Sequence, residues 1–257
     1  MRQSIANYGH GFIGRNFLEK YKNYFSKIIT SSKLSSKPHY SIKHLNFDLY
    51  KTIPQLEETD IAIISIPFSR LMKTPLNYYE SIKKLCLNLN KSTKVIFTSS
   101  TSVYELNNNT VNEKSQIANN SRAVALNKTE KFIISYFEKS FILRLGGICG
   151  LERNSKNKLS QDVIKYSNSP VNLIHINDII LFIMTLIESS YETDIINLCT
   201  SAHPTKKEYY TYLCNLFNLP HPLFDESLTQ YKIVSNNYLK TYYKFTPTLD
   251  SPLKFTF

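Results

Sequence analysis

Short apolar segments alternate with longer segments of helical periodicity from the N-terminus to about Leu198. The strand-like segments read SIAN, KIIT, HLNF, IAIISI, KVIFTS, FILRL, VNLIHI and IINL. The helix-like segments read FIGRNFLEKY, PLNYYESIKKLCLNL, TEKFIISYF and DIILFIMTLIES. Apolar strands separated by helices of this length are typical of a parallel sheet with helices on both faces. The pattern predicts an α/β fold with a doubly wound parallel sheet.

The alternation weakens after Leu198. The segment TKKEYYTYLCNLF has a helical pattern, with Thr205 at the N-cap position and Glu208 three residues later, which is the capping-box spacing. The remaining tail is rich in Tyr, Pro and Lys and has no clear period. We therefore expect a small lobe at the C-terminal end of the chain.

Length and hydropathy limit the class of protein. With 257 residues, 42% of them hydrophobic, the chain suits one compact unit or a main domain with a small appendage. The apolar runs IAIISIPF and IILFIMTLI are too short to span a bilayer. The N-terminal segment MRQSIANYGHG lacks the apolar stretch of a secretory signal. We expect a cytoplasmic protein that does not associate with membranes.

Cysteine spacing and charge exclude further classes. The sequence contains no CxxC pair, which favours free thiols in a reducing cytoplasm over disulfides or a zinc site; the cysteines are Cys86, Cys149, Cys199 and Cys214. The formal net charge is +11, but the lysines are scattered and form no basic block interleaved with aromatic residues. We expect no nucleic-acid partner, although a positive surface attracts phosphorylated ligands.

Glycines are scarce, and three of the six stand at the junction between the first strand and the first helix. Gly9, Gly11 and Gly14 form the motif GHGFIG, in which the first glycine permits a tight turn, the second lets a pyrophosphate approach and the third allows close helix packing. The helix N-terminus then presents N–H groups to the phosphates. A dinucleotide site is predicted here, the alternative being a structural turn. Its residues are Gly9, His10, Gly11, Phe12, Ile13 and Gly14.

The edge of the second strand bears on the form of the dinucleotide. A site that prefers NAD has a carboxylate there to bind the ribose 2′-hydroxyl. This chain instead has Ser31, Ser32 and Lys33. Hydroxyls and a cation suit the 2′-phosphate of NADP, so the sequence leans slightly towards NADP over NAD. A solvated loop that contacts nothing is the alternative.

Five motifs in this order, GHGFIG, VIFTSSTSVYE, NKTEKF, ILRLGGICG and VNLIHINDI, carry a family resemblance. The chain resembles the extended short-chain dehydrogenase/reductases, and among them the short NAD-dependent epimerase/dehydratase proteins that often act on sugar nucleotides. The resemblance runs from about residue 3 to 200. It implies a Rossmann-type dinucleotide-binding domain over residues 1–199 and a substrate lobe over 200–257, to which 150–170 contributes. It also makes a homodimer reasonable.

The resemblance assigns further cofactor contacts. Asp48 and Leu49 match the family's acidic–apolar pair beside the adenine, although Asp48 equally fits a loop residue that caps a short helix. Ile66 and Pro67, at the end of the fourth strand, are expected near the cofactor ribose. These positions lie at the carboxyl edge of the sheet, where doubly wound folds bind ligands.

The segment TSSTSVYE follows the fifth strand. In the family a serine or threonine here bonds the substrate oxygen that is oxidised or reduced. Ser100 is the best match and Thr101 its alternative. The alternative, which is almost as plausible, is that the Ser100 hydroxyl only caps the turn after the strand.

The family's acid–base pair is altered in this chain. Its pattern is Tyr-x-x-x-Lys on one helix face, and the resemblance puts Lys128 at the lysine position, where it would bind the nicotinamide ribose, and Val124 at the tyrosine position. A solvated lysine is the alternative for Lys128. Valine cannot transfer a proton, and loss of a positioned acid or base commonly costs about a hundred- to ten-thousandfold in rate. Tyr104 is the nearest candidate replacement in sequence, although a packed aromatic side chain describes it better.

Two functions follow from these residues. The first is an NAD(P)-dependent epimerase, dehydratase or reductase that acts on a nucleotide sugar or a similar polar carbonyl or hydroxyl substrate. The second is a dinucleotide-binding sensor or scaffold that has lost turnover, which Val124 favours. Cofactor binding without any oxidation or reduction across a panel of sugar nucleotides would support the second function over the first.

Overall fold

The computed structural model describes residues 2–33, 42–68, 74–154, 159 and 163–256. Its strands are β1 (Ser4–Tyr8), β2 (Lys27–Ser32), β3 (Lys43–Asn46), β4 (Ile61–Ile64), β5 (Lys94–Ser100), β6 (Thr110–Val111), β7 (Ser140–Leu145), β8 (Gly147–Cys149), β9 (Val163–Ile164), β10 (Leu173–His175), β11 (Asp194–Leu198), β12 (Leu223–Phe224) and β13 (Ile233–Val234). Its α-helices are α1 (Phe12–Tyr21), α2 (Leu76–Leu87), α3 (Ser121–Tyr136), α4 (Ile176–Glu188), α5 (Lys206–Phe217) and α6 (Asn237–Thr241).

A seven-stranded sheet forms the centre of the fold, with the strand order β11-β7-β5-β4-β1-β2-β3. β1 pairs in parallel with both β2 and β4, β2 pairs in parallel with β3, and β4 does so with β5. The chain runs outward from β1 to β3 and then crosses to β4 on the other side of β1. The strand order therefore reverses between β1 and β4, and the predicted doubly wound α/β fold of Rossmann type is confirmed.

Strands β1 and β4 lie in the middle of the sheet, and their runs of buried residues do not alternate with exposed ones. All four residues of β4, Ile61–Ile64, are fully buried, and β1 is buried from Ile5 to Tyr8. Strands covered on both faces need such continuous apolar runs. Beside the sheet, α2 packs against α3, and α2 buries Tyr78, Ile82 and Leu85.

The chain divides into two compact units. Unit 1 consists of Met1–Val103, Ile117–Leu143 and Ile180–Ile195, and unit 2 consists of Tyr104–Gln116, Arg144–Ile179 and Ile196–Phe257. Short parallel strand pairs connect distant segments within unit 2: β6 with β13, β8 with β10, and β9 with β12. The expectation that residues 200–257 with part of 150–170 form a substrate lobe concerns unit 2 and stays a prediction.

Unit 2 has its own apolar core, which includes Tyr209, Leu213 and Phe255. Its helix α5 begins directly after Thr205, whose hydroxyl accepts the N–H of Glu208 while the Glu208 carboxylate accepts the Thr205 N–H, so the predicted capping box is confirmed. The four cysteines are free and buried, as predicted. In the described part of the chain, no cluster of His, Cys, Asp and Glu could hold a metal ion. None of the described helices has the length and apolar character needed to cross a membrane.

Candidate functional site

The glycine-rich turn after β1 folds tightly against the ends of two neighbouring strands. Gly9 has a φ of +98°, which L side chains rarely adopt, and a Cβ on it would come 2.8 Å from the carbonyl carbon of Ser65. The N–H groups of Gly9 and His10 both donate to the Ser31 carbonyl oxygen, at 3.2 and 2.7 Å. Gly9 is therefore required by the protein itself, whether or not a ligand binds.

Gly14 and Gly11 differ in what surrounds them. A Cβ on Gly14 would lie 2.1 Å from Nδ2 of the buried Asn7. Among the described residues, the nearest atom to a Cβ on Gly11 would be the Gly9 carbonyl oxygen, at 3.9 Å. Gly11 is also the N-cap of α1, whose first turn contains no acidic residue. The first-turn N–H groups and the positive end of the helix dipole suit an anion that lies over Gly11.

The segment after β4 is attached to this turn. The Ser65 hydroxyl donates to the Gly9 carbonyl oxygen at 2.8 Å, and the Ser65 N–H donates to the Tyr8 carbonyl oxygen at 2.8 Å. The next residue, Ile66, is half-buried and its carbonyl accepts the Tyr78 hydroxyl at 2.9 Å. Pro67 is exposed. Hydrogen bonds of backbone and hydroxyl groups therefore connect the turn after β1 with the segment after β4, at the point where the strand order reverses.

Two histidines lie at the edge formed by β2 and β3. His44 bonds the Thr30 hydroxyl through Nδ1 at 2.7 Å and the Ser32 hydroxyl through Nε2 at 3.0 Å. The His10 ring meets it edge-on, with a centroid separation of 6.1 Å. Burial lowers the pKa of both histidines, and the nearby charges of His44 and Arg15 lower the pKa of His10 further. Ser31 is buried and contributes its carbonyl to the turn.

Lys33 and Asp48 form an ion pair at the same edge, with 3.0 Å between Nζ and Oδ2. Asp48 also accepts the Tyr50 N–H at 3.1 Å, and this bond, followed by the neighbouring lysine, lowers the pKa of its carboxyl group. Leu49 is buried. This bonding agrees with the interpretation of Asp48 as a loop residue. The contact of Asp48 with an adenine stays a prediction.

The turn after β5 carries the predicted substrate contact. Ser100 is half-buried, and its Oγ accepts the Ser102 N–H at 3.1 Å, which is the turn-capping alternative. Thr101 is buried. The neighbouring Ser99 hydroxyl bonds the carboxylate of Glu130, which α3 buries completely. A hydroxyl that accepts one bond still has its own O–H to donate, so Ser100 keeps the chemistry that its predicted role requires.

Helix α3 carries the predicted Lys128 position. It begins after Asn120, whose side chain accepts the Ala123 N–H at 3.0 Å. Lys128 is exposed and Val124 is half-buried, and neither has a described contact with the Ser100 turn. The side chain that reaches this turn is Arg122, whose Nε donates to the Ser102 hydroxyl at 3.0 Å. The structure does not bring Lys128 to Ser100, and its contact with a cofactor ribose stays a prediction.

Tyr104 has the surroundings of the packed-aromatic alternative, and its catalytic role stays a prediction. Its side chain is 1% exposed in unit 2, where its hydroxyl donates to Asn197 Oδ1 at 2.6 Å and accepts from Arg144 at 2.9 Å. Burial raises the pKa of Tyr104 to about 12, although the adjacent arginine opposes this shift. Enclosure and bonding of this kind are typical of a packed side chain. The sequence offered this alternative, and the burial of the preceding Val103 shows that the chain turns inward here.

Sequence reasoning missed Arg122, His44 and Phe68. The Arg122 guanidinium lies 4.6 Å from the centre of the Phe68 ring, and His44 bonds two hydroxyls of β2. The asparagine before α3 is a recognisable N-cap residue and would have fixed the start of the helix, placing Arg122 in its first turn. Nothing in the sequence indicated the histidine contacts.

Comparison with known proteins begins with sequence. No protein-family model matches the chain. The protein YeeZ of Escherichia coli strain K12 is 29% identical over 179 residues, which cover 67% of this chain and 65% of YeeZ. The chain thus spans slightly less than two thirds of the length of this relative.

Solved structures share the fold over nearly the whole chain. The UDP-glucuronic acid 4-epimerase from Bacillus cereus, solved in complex with NAD, has a TM-score of 0.79 at 16% identity, with 98% of this chain and 94% of that chain covered. A functionally unknown conserved protein from Silicibacter pomeroyi DSS has a TM-score of 0.77 at 18% identity, with 98% and 95% covered. The resemblance seen in the sequence is thereby confirmed at the level of the fold.

Proposed function

We propose that this chain, which has the fold of the extended short-chain dehydrogenase/reductases, binds NAD or NADP at its glycine-rich turn and acts on a nucleotide sugar or a similar polar substrate. One observation carries the proposal. Gly9 and Gly14 are glycines because protein atoms lie too close for a Cβ, but no atom in the described part of the chain explains Gly11. A pyrophosphate that approaches the backbone at the start of α1 explains it.

The residues present fit such a group. Gly9, Gly11 and Gly14 would hold the pyrophosphate together with the first-turn N–H groups of α1, and no carboxylate in that turn repels it. Ser100 would bond the reacting oxygen of the substrate through its hydroxyl. When bound, the nicotinamide supplies or accepts a hydride. The Bacillus cereus epimerase was solved with NAD, which supports a nicotinamide dinucleotide here.

We propose NADP as the preferred form. Lys33 stands at the end of β2, held by Asp48, and a lysine suits the 2′-phosphate that distinguishes NADP. The Ser32 hydroxyl, bonded to His44, lies at the same edge. The carboxylate of Asp48 is the feature that favours NAD, so comparison of the two forms tests this assignment directly.

Compartment and assembly complete the proposal. We propose a cytoplasmic protein, because its four cysteines are free and buried, as in a reducing compartment. A homodimer follows from the family resemblance. Its oligomeric state can be measured by light scattering in the presence and absence of the dinucleotide.

Calorimetric titration of the purified protein with NADPH and, separately, NADH tests the function. We expect micromolar or tighter binding, with NADPH the tighter ligand. The complex would then be offered a panel of UDP-sugars while nicotinamide absorbance and sugar epimerisation are followed. Absence of binding to either form by folded protein that carries no nucleotide would exclude the proposed function.

A second candidate function is a dinucleotide sensor without turnover. The observation that favours it is the absence of a tyrosine at position 124 together with the burial of Tyr104, the tyrosine that follows the Ser100 turn. Such a protein binds NADPH or NADH yet neither oxidises, reduces nor epimerises any member of the panel. Turnover of one member at a rate well above the uncatalysed reaction would exclude it.

A further inference from the structure

Helix α3 turns one cation towards the carboxyl ends of β4 and β5. Successive residues of a helix are separated by about 100°, so Arg122 shares a face with the buried Thr129 and Ile133. On the same basis Val124 is rotated by about 160° and Lys128 by about 120° from Arg122. The residue that faces the site from the first turn of this helix is therefore Arg122.

Several contacts hold the Arg122 side chain, two of which lie at the site. Its Nε donates to the Ser102 hydroxyl at 3.0 Å, and its guanidinium carbon lies 4.6 Å from the centre of the Phe68 ring. That ring packs against Tyr78, with centroids 5.0 Å apart, and the Tyr78 hydroxyl bonds the Ile66 carbonyl. The cation is thus attached to the segment after β4 and to the turn after β5, and a fixed guanidinium loses little entropy when it binds an anion.

Hydroxyl groups accompany the cation. Ser102 accepts from Arg122, and Ser100 accepts the Ser102 N–H at 3.1 Å. Each hydroxyl that accepts retains its O–H as a donor. A guanidinium beside two serine hydroxyls is a set of donors that recognises a negatively charged oxygen.

We propose that Arg122 binds an anionic oxygen of the substrate beside the nicotinamide. The proposal rests on the proposed function, because a dinucleotide in the glycine-rich turn crosses from the β1–β2 side of the sheet to the β4–β5 side, where Arg122 lies. A bound nicotinamide would supply the hydride that reduces a substrate carbonyl; Arg122 would stabilise the negative charge that then develops on the carbonyl oxygen, and water would supply the proton that this oxygen takes up. The arginine stays charged and transfers no proton itself.

Sulfite is the probe for this anion site. Its sulfur lone pair adds to C4 of the oxidised nicotinamide, which forms a sulfur–carbon bond, neutralises the ring cation and requires no oxidant or proton. The adduct carries a negatively charged sulfonate on C4, where the proposed anion site would meet it. The adduct also absorbs in the near ultraviolet, so its formation can be followed. The wild-type protein is first saturated with NAD⁺ or NADP⁺, whichever binds more tightly, and is then titrated with sulfite.

Three variants give the comparison. In Arg122→Gln the charge is removed, in Arg122→Lys it is kept without the planar guanidinium, and in Lys131→Gln an exposed charge is removed from the same helix. Loss of a charge-assisted bond weakens sulfite association by about ten- to a hundredfold in Arg122→Gln. We expect Lys131→Gln to match wild type and Arg122→Lys to be intermediate. Dinucleotide dissociation constants and thermal midpoints are measured for every variant.

The outcomes separate the two proposals. Weaker sulfite association in Arg122→Gln, with the dinucleotide dissociation constant unchanged, supports the anion site. Equal association in wild type and Arg122→Gln, or no adduct on a wild-type protein that binds the dinucleotide, overturns the role of Arg122 and leaves the cofactor site standing. A fall in dinucleotide affinity equal to the fall in sulfite affinity overturns it too, because Arg122 then binds the cofactor. Failure of wild type to bind either dinucleotide overturns both proposals.

Discussion

Substitution of Gly11 by alanine separates ligand binding from folding. The φ of Gly11 is −96°, and the nearest atom of the described residues to its added Cβ would lie 3.9 Å away, so the folded chain accepts the methyl group. Alanine is a poorer N-cap than glycine, which costs the protein up to about 1 kcal/mol of stability. The methyl group occupies the space that a pyrophosphate needs, and loss of one charge-assisted bond from a backbone N–H costs about 1.5–3 kcal/mol.

We therefore expect NADPH to bind Gly11→Ala about ten- to a hundredfold more weakly, with little change in the thermal midpoint. The assay is a titration followed by nicotinamide fluorescence, with urea unfolding run on the same preparations. Unchanged NADPH affinity in Gly11→Ala would refute the placement of the pyrophosphate. A large loss of stability would refute the steric reasoning instead.

Gly14→Ala is the matched contrast. Its Cβ would overlap the Asn7 amide at 2.1 Å, and overpacking of this kind typically costs about 1–3 kcal/mol. In the described part of the chain neither amide atom of Asn7 has a hydrogen-bond partner, so Asn7→Ala alone should cost at most about 1 kcal/mol. The double variant should recover most of the stability lost in Gly14→Ala. If the stability losses of Gly14→Ala and Asn7→Ala simply add in the double variant, the Asn7 side chain is not what obstructs a Cβ on Gly14.

Three further substitutions test contacts outside the proposed pyrophosphate site. Tyr104→Phe removes one acceptor of the buried Arg144 and the donor to Asn197 Oδ1, and it should lower the free energy of unfolding by about 1–3 kcal/mol without changing NADPH affinity; unchanged stability in urea would contradict this. Lys94→Met removes the ammonium that donates to carbonyls at the end of α4, at 2.7 to 3.3 Å, and should cost about 1–2 kcal/mol, whereas an unchanged midpoint would refute it. The pKa values of His10 and His44 are lowered in the folded protein, so the unfolded chain binds more protons at acidic pH. The contribution of these histidines to the free energy of unfolding is therefore complete above the unfolded pKa of about 6.5 and falls at lower pH. The drop in thermal midpoint between about pH 7.5 and 5.5 should shrink in His44→Asn, and an equal drop would contradict the assignment.

The fold was readable from the sequence because its strands are unusually apolar. Segments such as Ile61–Ile64 have no polar residue that would suggest another structure, and the glycines of GHGFIG mark the first strand–helix junction. Local signals of this kind need only a few neighbouring residues. The start of α5 at Thr205 was readable for the same reason.

The face of α3 was not readable. The helix buries Glu130 against Ser99 and exposes Lys128, so polar residues occur on its inner and outer sides alike. Its apolar residues alone therefore do not show which side faces the sheet. The contact of Arg122 with Ser102 joins residues 20 positions apart, and only the folded chain reveals it.

The histidine contacts and Tyr104 show the same limitation. His44 finds its hydroxyl partners because β3 pairs with β2, a register that no local pattern fixes. Tyr104 bonds Asn197 across 93 residues of sequence. A motif match could place this tyrosine near a serine turn along the chain but could not show that its hydroxyl is enclosed.

A crystal structure of the protein with NADPH tests the central claim most directly. We expect the pyrophosphate to lie over Gly11 at the N-terminus of α1, with the 2′-phosphate near Lys33. Nucleotide bound at another place, or a pyrophosphate that does not approach Gly11, would contradict the account.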